Sequence, residues 1–97
     1  MLEDLTFDQM NQYVGSTFRA QAGERTIDLK LTSAAKVMES EAARLRRAAF
    51  SLFFLAPVLL PQQIYRITHE AFEEPMDIFL VPIGKDANGY LHEAVFT

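Results

Sequence analysis

The spacing of apolar positions changes near the start of the chain. Phe7, Met10 and Val14 recur at intervals of three and four, on one side of a helix. Thr6, with Gln9 three positions on, forms a capping box, and Leu5 and Met10 occupy the positions of a hydrophobic staple. Asp8 lies in the first turn, where negative charge suits the helix dipole. Gly15 supplies the stop. The spacing predicts a short helix over about residues 7–14. So short a helix is not stable alone, so it is expected to pack as a lid on the remainder.

From Thr17 the period is two. Phe18, Ala20 and Ala22 alternate with Thr17, Arg19 and Gln21, and Ile27, Leu29 and Leu31 alternate with Asp28, Lys30 and Thr32. Gly23-Glu24 between them suits a type II′ turn, so the segment reads as a hairpin with one wet and one dry face. Alternation carries to about Val37, followed by a polar excursion with a helical turn or two from Ser40. The helix formers between Ala34 and Arg46 also allow a single helix over 34–48; the alternation favours the first reading.

Ala49 to Ala56 is apolar on both faces, as a central strand should be, and Pro57 and Pro61 end it by removing ladder donors. Ile64 to Glu70, Met76 to Ile83 and Tyr90 to Phe96 read as three further strands. Ala71–Pro75 and Gly84–Gly89 connect them, the second rich in turn formers. One helix and about six strands with short links predict a mainly β single domain over 1–97, a small antiparallel barrel or sandwich. Closure into a barrel removes exposed strand edges.

Composition narrows the function. At 97 residues there is room for one core, and 49% hydrophobic residues are too many for a disordered chain. A net charge of −4 disfavours nucleic acid as a partner. The absence of cysteine excludes disulfides and thiol chemistry. The acidic start Met1-Leu2-Glu3-Asp4 lacks the basic region of a secretory signal. The longest apolar run, Ala48 to Leu60, is interrupted and short of the ~20 residues of a membrane helix. A soluble, cytoplasmic protein without membrane contact is the expectation.

Candidate chemistry is sparse. His69 and His92 are each followed by a glutamate, an arrangement open to acid–base work or metal binding. In a meander of the last three strands they fall near opposite ends, on the order of 15 Å apart at about 3.3 Å per residue. They are therefore read as surface or structural histidines, dispensable for stability. Glu70, Glu73 and Glu74 read as a solvated turn, and Arg44, Arg46 and Arg47 as a solvated basic cluster. The four glycines are isolated, and Ser16, Ser33, Ser40 and Ser51 lack the context of a nucleophile. No catalytic residue, cofactor or metal is assigned, and no enzyme activity is expected.

The aromatic and aliphatic surplus says more. Phe53 and Leu55 oppose Phe50, Leu52 and Phe54 on their strand; Phe79, Val81 and Ile83 oppose Met76, Ile78 and Leu80. A chain this small cannot bury both faces of two strands alone, which points to subunit contact. Val58-Leu59-Leu60, held between prolines, reads as an apolar knob that either projects or tucks under the barrel end. Phe53, Leu55, Val58, Leu59, Leu60, Phe79 and Val81 are the interface candidates, with a homo-oligomer as the expected assembly.

Phe50-Ser-Leu-Phe-Phe, the run from Leu60 to His69, Ile78-Phe-Leu-Val-Pro-Ile-Gly84 and Glu93-Ala-Val-Phe96 together resemble a small bacterial family catalogued as a domain of unknown function. Its pattern is FSLLF…P…YRLEH…LFLVPIG…YEAVF. The chain departs from it at His92, where an aromatic such as Tyr is expected, and at Ala71–Pro75, where the usual connector contains glycine. The resemblance implies genes associated with tail-collar proteins of phage-tail-like type. A part in tail assembly or decoration follows, with tail-like structural proteins as partners. The expected function is thus a non-enzymatic interaction or assembly module. The rival is a small-molecule-binding β-barrel with Tyr65, Arg66 and Arg19 as polar contacts.

Overall fold

Thr6 opens the helix: its Oγ1 accepts the Gln9 amide at 3.1 Å. The structure is a computed structural model that describes residues 5–36 and 49–96. Helix α1 spans Phe7–Asn11, followed by strands β1 (Thr17–Ala22), β2 (Arg25–Lys36), β3 (Phe50–Ala56), β4 (Gln63–Thr68), β5 (Met76–Asp86) and β6 (Gly89–Phe96). The helix is shorter than its apolar spacing suggests. It ends at Asn11, and a further turn carries the chain to Gly15 at φ +97, whose amide donates to Leu31 O at 2.7 Å. The helical phase is lost over that turn, so Val14 is exposed whereas Leu5 and Met10 are core.

All six strands are antiparallel and close in the order β1-β2-β3-β6-β5-β4. The fold is a barrel made of two three-stranded meanders, the second reversed so that β6 lies beside β3 and β4 beside β1. Gly23, at φ +65, makes the β1–β2 turn. Glu24 does not share the positive φ, which fits type II′ and excludes type I′. Strand β2 reaches Lys36, so a helix beginning at residue 34 is excluded. The helical turn expected from Ser40 and the basic cluster at 44–47 lie outside the described residues.

A bulge in each of the two longest strands shifts the in–out alternation by one residue. Thr32 is the extra residue on β2, and its hydroxyl donates to Phe53 O at 3.0 Å. On β5 the register slips between Pro82 and Gly84, where the proline has no amide to give to the ladder. The interior comprises Phe18, Ala20, Ile27, Leu29, Leu31, Phe50, Leu52, Phe54, Tyr65, Ile67, Ile78 and Leu80, with further apolar residues at the ends. At one end α1 forms the lid. Phe7 meets Phe50 edge-on at 6.5 Å, and Phe50 stacks on Phe96 at 5.0 Å between centroids. At the other, the 57–62 connection between the two meanders turns Leu60 into the core.

Two outcomes test this architecture. Thr6→Ala removes one capping bond and should cost about 1 kcal/mol in urea unfolding. Gly89 sits at φ +145 at the tight β5–β6 turn, and a Cβ there would lie 2.5 Å from Ala56 O. Gly89→Ala combines backbone strain with that clash and should cost about 2 kcal/mol or more.

Candidate functional site

The two histidines occupy opposite ends of the barrel, one on each side of β4. His69 follows β4 at the lid end. Its Nδ1 accepts the Ala71 amide at 3.0 Å, which fixes the proton of the neutral ring on Nε2. Nε2 then donates to Ser16 Oγ at 2.9 Å, and Ser16 donates its own proton to Tyr13 O at 2.6 Å. Ser16 and His69 thus stand at the distance of a nucleophile and its base, but the proton runs the wrong way. A base would need a free Nε2 lone pair facing the hydroxyl, and here the backbone amide of Ala71 directs that nitrogen to donate. The chain of bonds locks the α1–β1 turn to the β4–β5 connection. Phe18, Tyr13 and Phe72 surround the ring at centroid distances of 4.3, 5.1 and 5.8 Å. Nothing in the sequence joins Ser16 to a residue 53 positions away; only barrel closure brings them together.

His92 is fully buried at the opposite end, paired across the ladders with Phe54 and Pro82. Its Nε2 accepts the Leu60 amide at 3.0 Å, and its Nδ1 has no partner. Burial pushes its pKa below the ordinary histidine range, against backbone groups of Tyr90 and Phe54 that favour the charged ring. The ring therefore stays neutral and anchors the 57–62 loop. Both histidines are buried and hydrogen-bonded, which answers to the structural reading rather than the surface one and speaks against their being dispensable for stability. Among the described residues, no three His, Cys, Asp or Glu side chains converge as a metal site would require.

The polar contacts of a ligand-binding barrel are placed elsewhere. The Tyr65 hydroxyl donates to Pro61 O at 2.6 Å, and burial raises its pKa. Arg19 and Arg66 lie on the outer surface, beside Asp28 and Asp77 at 3.5 Å. Glu70, Glu73 and Glu74 are exposed around the β4–β5 connection.

What remains is the outer wall. Ile64, Phe79, Ile83 and Val95 are 64, 48, 46 and 58% exposed, on the neighbouring strands β4, β5 and β6. Phe53, Leu55 and Val81 continue this wall and are half-buried. Glu93 interrupts it, opposite both Phe53 and Val81, with its Oε2 accepting from Ser51 Oγ at 2.9 Å. Of the apolar knob, Leu59 projects at 54% exposure, Val58 packs against the core, and Leu60 is a core residue unavailable to a partner. Ile64 and Val95 were not singled out by sequence reasoning, although each alternates with buried neighbours.

The wall is split at one place. The β5–β6 ladder runs from Asp86↔Gly89 to Val81↔Glu93 and stops, although β5 begins at Met76 and β6 continues to Phe96. Each freed segment is held on its other side, β5 by β4 and β6 by β3. The strands part toward the lid end, leaving a cleft of about 260 Å³ lined by Ile64, Ile78, Phe79, Val95 and Phe96 with Asp77 beside them.

The chain belongs to the family described as Domain of unknown function (DUF6916), whose model matches residues 5–96. No curated protein and no solved structure matches it. Among the described residues, no helix is long and apolar enough to cross a membrane.

The buried rings give two measurable outcomes. An unfolded imidazole titrates near pH 6.5, whereas folded His92 resists the proton. Below about pH 6.5 the unfolded chain binds a proton that the native state does not, so stability falls on acidification by at most about 1.4 kcal/mol per pH unit. The Leu60 contact can be kept with His92→Gln, and urea unfolding at pH 7.5, 6.5 and 5.5 should show a shallower slope for it than for the parent. Replacing both histidines by alanine should cost more than about 2 kcal/mol, through the lost packing and the unpaired Leu60 and Ala71 amides.

Proposed function

We propose that this member of a family of unknown function is a small, non-enzymatic assembly module that associates with copies of itself through the outer wall of β4, β5 and β6. The observation that carries the reading is the set of half- to two-thirds-exposed apolar side chains Ile64, Phe79, Ile83 and Val95 on adjoining strands. Large side chains concentrated on one wall mark an interaction surface more often than scattered single ones do. The groups capable of acid–base work support the reading by being engaged elsewhere: His69 and Ser16 tie the lid end, and His92 ties the opposite loop.

We further assign the module to a phage-tail-like particle, as a component or an accessory. This finer role rests on the gene association implied by the Phe50–Phe54 and Ile78–Gly84 segments. A tail or its collar is built from repeated copies, and a small barrel with an apolar wall suits such a building block.

The test is the mass of the purified protein in solution. Light scattering at micromolar concentration and above should give a multiple of the 11.0 kDa chain. Phe79→Glu should shift the mass toward the monomer without changing the far-ultraviolet circular dichroism, because Phe79 is outside the core. A parent protein that stays at monomer mass up to millimolar concentration overturns the proposal.

A further inference from the structure

We propose that His69 is a proton-operated latch: acid frees the β4–β5 connection from the lid end of the barrel while the strands stay paired. The device follows from which ring atom holds what. Neutral His69 accepts the Ala71 amide at Nδ1, at 3.0 Å, and donates from Nε2 to Ser16 Oγ, at 2.9 Å. A second proton has to enter at Nδ1, the nitrogen that carries the lone pair of this tautomer. The Ala71 N–H already occupies that position. A charged ring sets one N–H against another there, so His69 takes the proton only when Ala71 has moved away.

The same geometry decides which part moves. The bond to Ser16 survives, since a charged ring donates from Nε2 as the neutral one does. Ser16 is itself fixed by donating to Tyr13 O at 2.6 Å, and Phe18 packs on the ring at 4.3 Å between centroids. The ring therefore stays with the α1–β1 turn and β1, and the connection leaves. Its hold is slight. Besides the Ala71 bond, the Phe72 amide donates to His69 O at 3.0 Å, and half-buried Phe72 packs on Tyr13 at 5.3 Å. Glu70, Ala71, Glu73, Glu74 and Pro75 are all exposed. A segment with so few buried contacts opens locally at low cost. Its departure takes Phe72 off Tyr13 and bares an aromatic surface that the closed form covers.

Little else in the molecule responds to the proton in this range. Carboxylates and phenols titrate outside the interval from pH 7.5 to 5.5. His92, the other histidine, is fully buried, and desolvation holds its pKa below the ordinary range. The α1–β1 turn presents the Tyr13 phenol to His69, and the connection carries Glu70, Glu73 and Glu74. On β1, Arg19 lies across the ladder from Thr68 and turns outward to Asp28; on β2, exposed Lys30 pairs with Thr17. Among the described residues, none of these groups is ion-paired to the ring. Below about pH 6.5 the open form binds a proton that the closed form refuses, so acidification favours opening.

Amide hydrogen exchange, followed by nuclear magnetic resonance on the full chain, tests the latch. From pH 7.5 to 5.5 the protection factors of Ala71 and Phe72 should fall by up to about tenfold. The loss should be insensitive to low urea, because local opening exposes little surface. It should persist in His92→Gln and vanish in His69→Asn, whose Oδ1 accepts the amide two residues on, as in an Asx turn, and does not titrate. Protection at Ala71 and Phe72 that is constant with pH overturns the proposal. A loss that depends on urea as the β3 amides do also overturns it, since the end then opens only with the whole barrel. So does a loss that remains in folded His69→Asn. If that variant does not fold, the parent's ring nitrogen shifts decide: His69 should titrate together with the Ala71 amide shift, and a ring that charges while that amide stays in place sinks the latch.

Discussion

The width of a six-stranded barrel governs the rest of this molecule. Strand number sets diameter, and eight strands already give an interior that side chains can fill. With six, each strand can point only every second residue into a narrow space, and Phe18, Phe54, Tyr65, Leu29 and Leu80 occupy it. The chain nevertheless carries apolar residues on both faces of β3 and β5. Whatever the interior cannot admit must stand on the outer wall, so the exposed Phe79 and the half-buried Phe53 and Leu55 follow from the same closure that makes the core.

Closure also leaves two open ends, and the histidines serve these. At the lid end the Ser16–His69 bond and the rings of Tyr13, Phe18 and Phe72 fasten the turn after α1 to the β4–β5 connection. At the other end His92 receives the Leu60 amide, so that the long connection between the meanders folds inward rather than away. Leu60 goes into the core while its neighbour Leu59 stands out at 54% exposure. The projecting leucine is thus a by-product of sealing the barrel. The β5–β6 cleft has a related origin: beyond Val81 and Glu93 each strand stays with its other neighbour, and the two diverge.

The proposed assembly role needs no catalytic group, consistent with the tautomer that the Ala71 amide imposes on His69. A serine and a histidine 2.9 Å apart would attract a catalytic interpretation on distance alone; the direction of the proton argues otherwise.

Much of the fold was legible in the sequence. Period-two alternation from Thr17 to Lys36 and in the last three strands determined the mainly β class, and Thr6, Gly23 and the two prolines at 57 and 61 marked where elements begin, turn and end. These are local signals, set by the stereochemistry of a few adjacent residues. The helix length was misjudged because Val14 keeps helical spacing in sequence after the backbone has left the helix, drawn away by the Gly15 bond to Leu31. Barrel rather than sandwich, the burial of both histidines, the Ser16–His69 pair and the cleft between β5 and β6 were decided only by tertiary structure. Each depends on which strands become neighbours when the sheet closes, and strand pairing over 30 to 50 positions leaves no periodic trace in the chain.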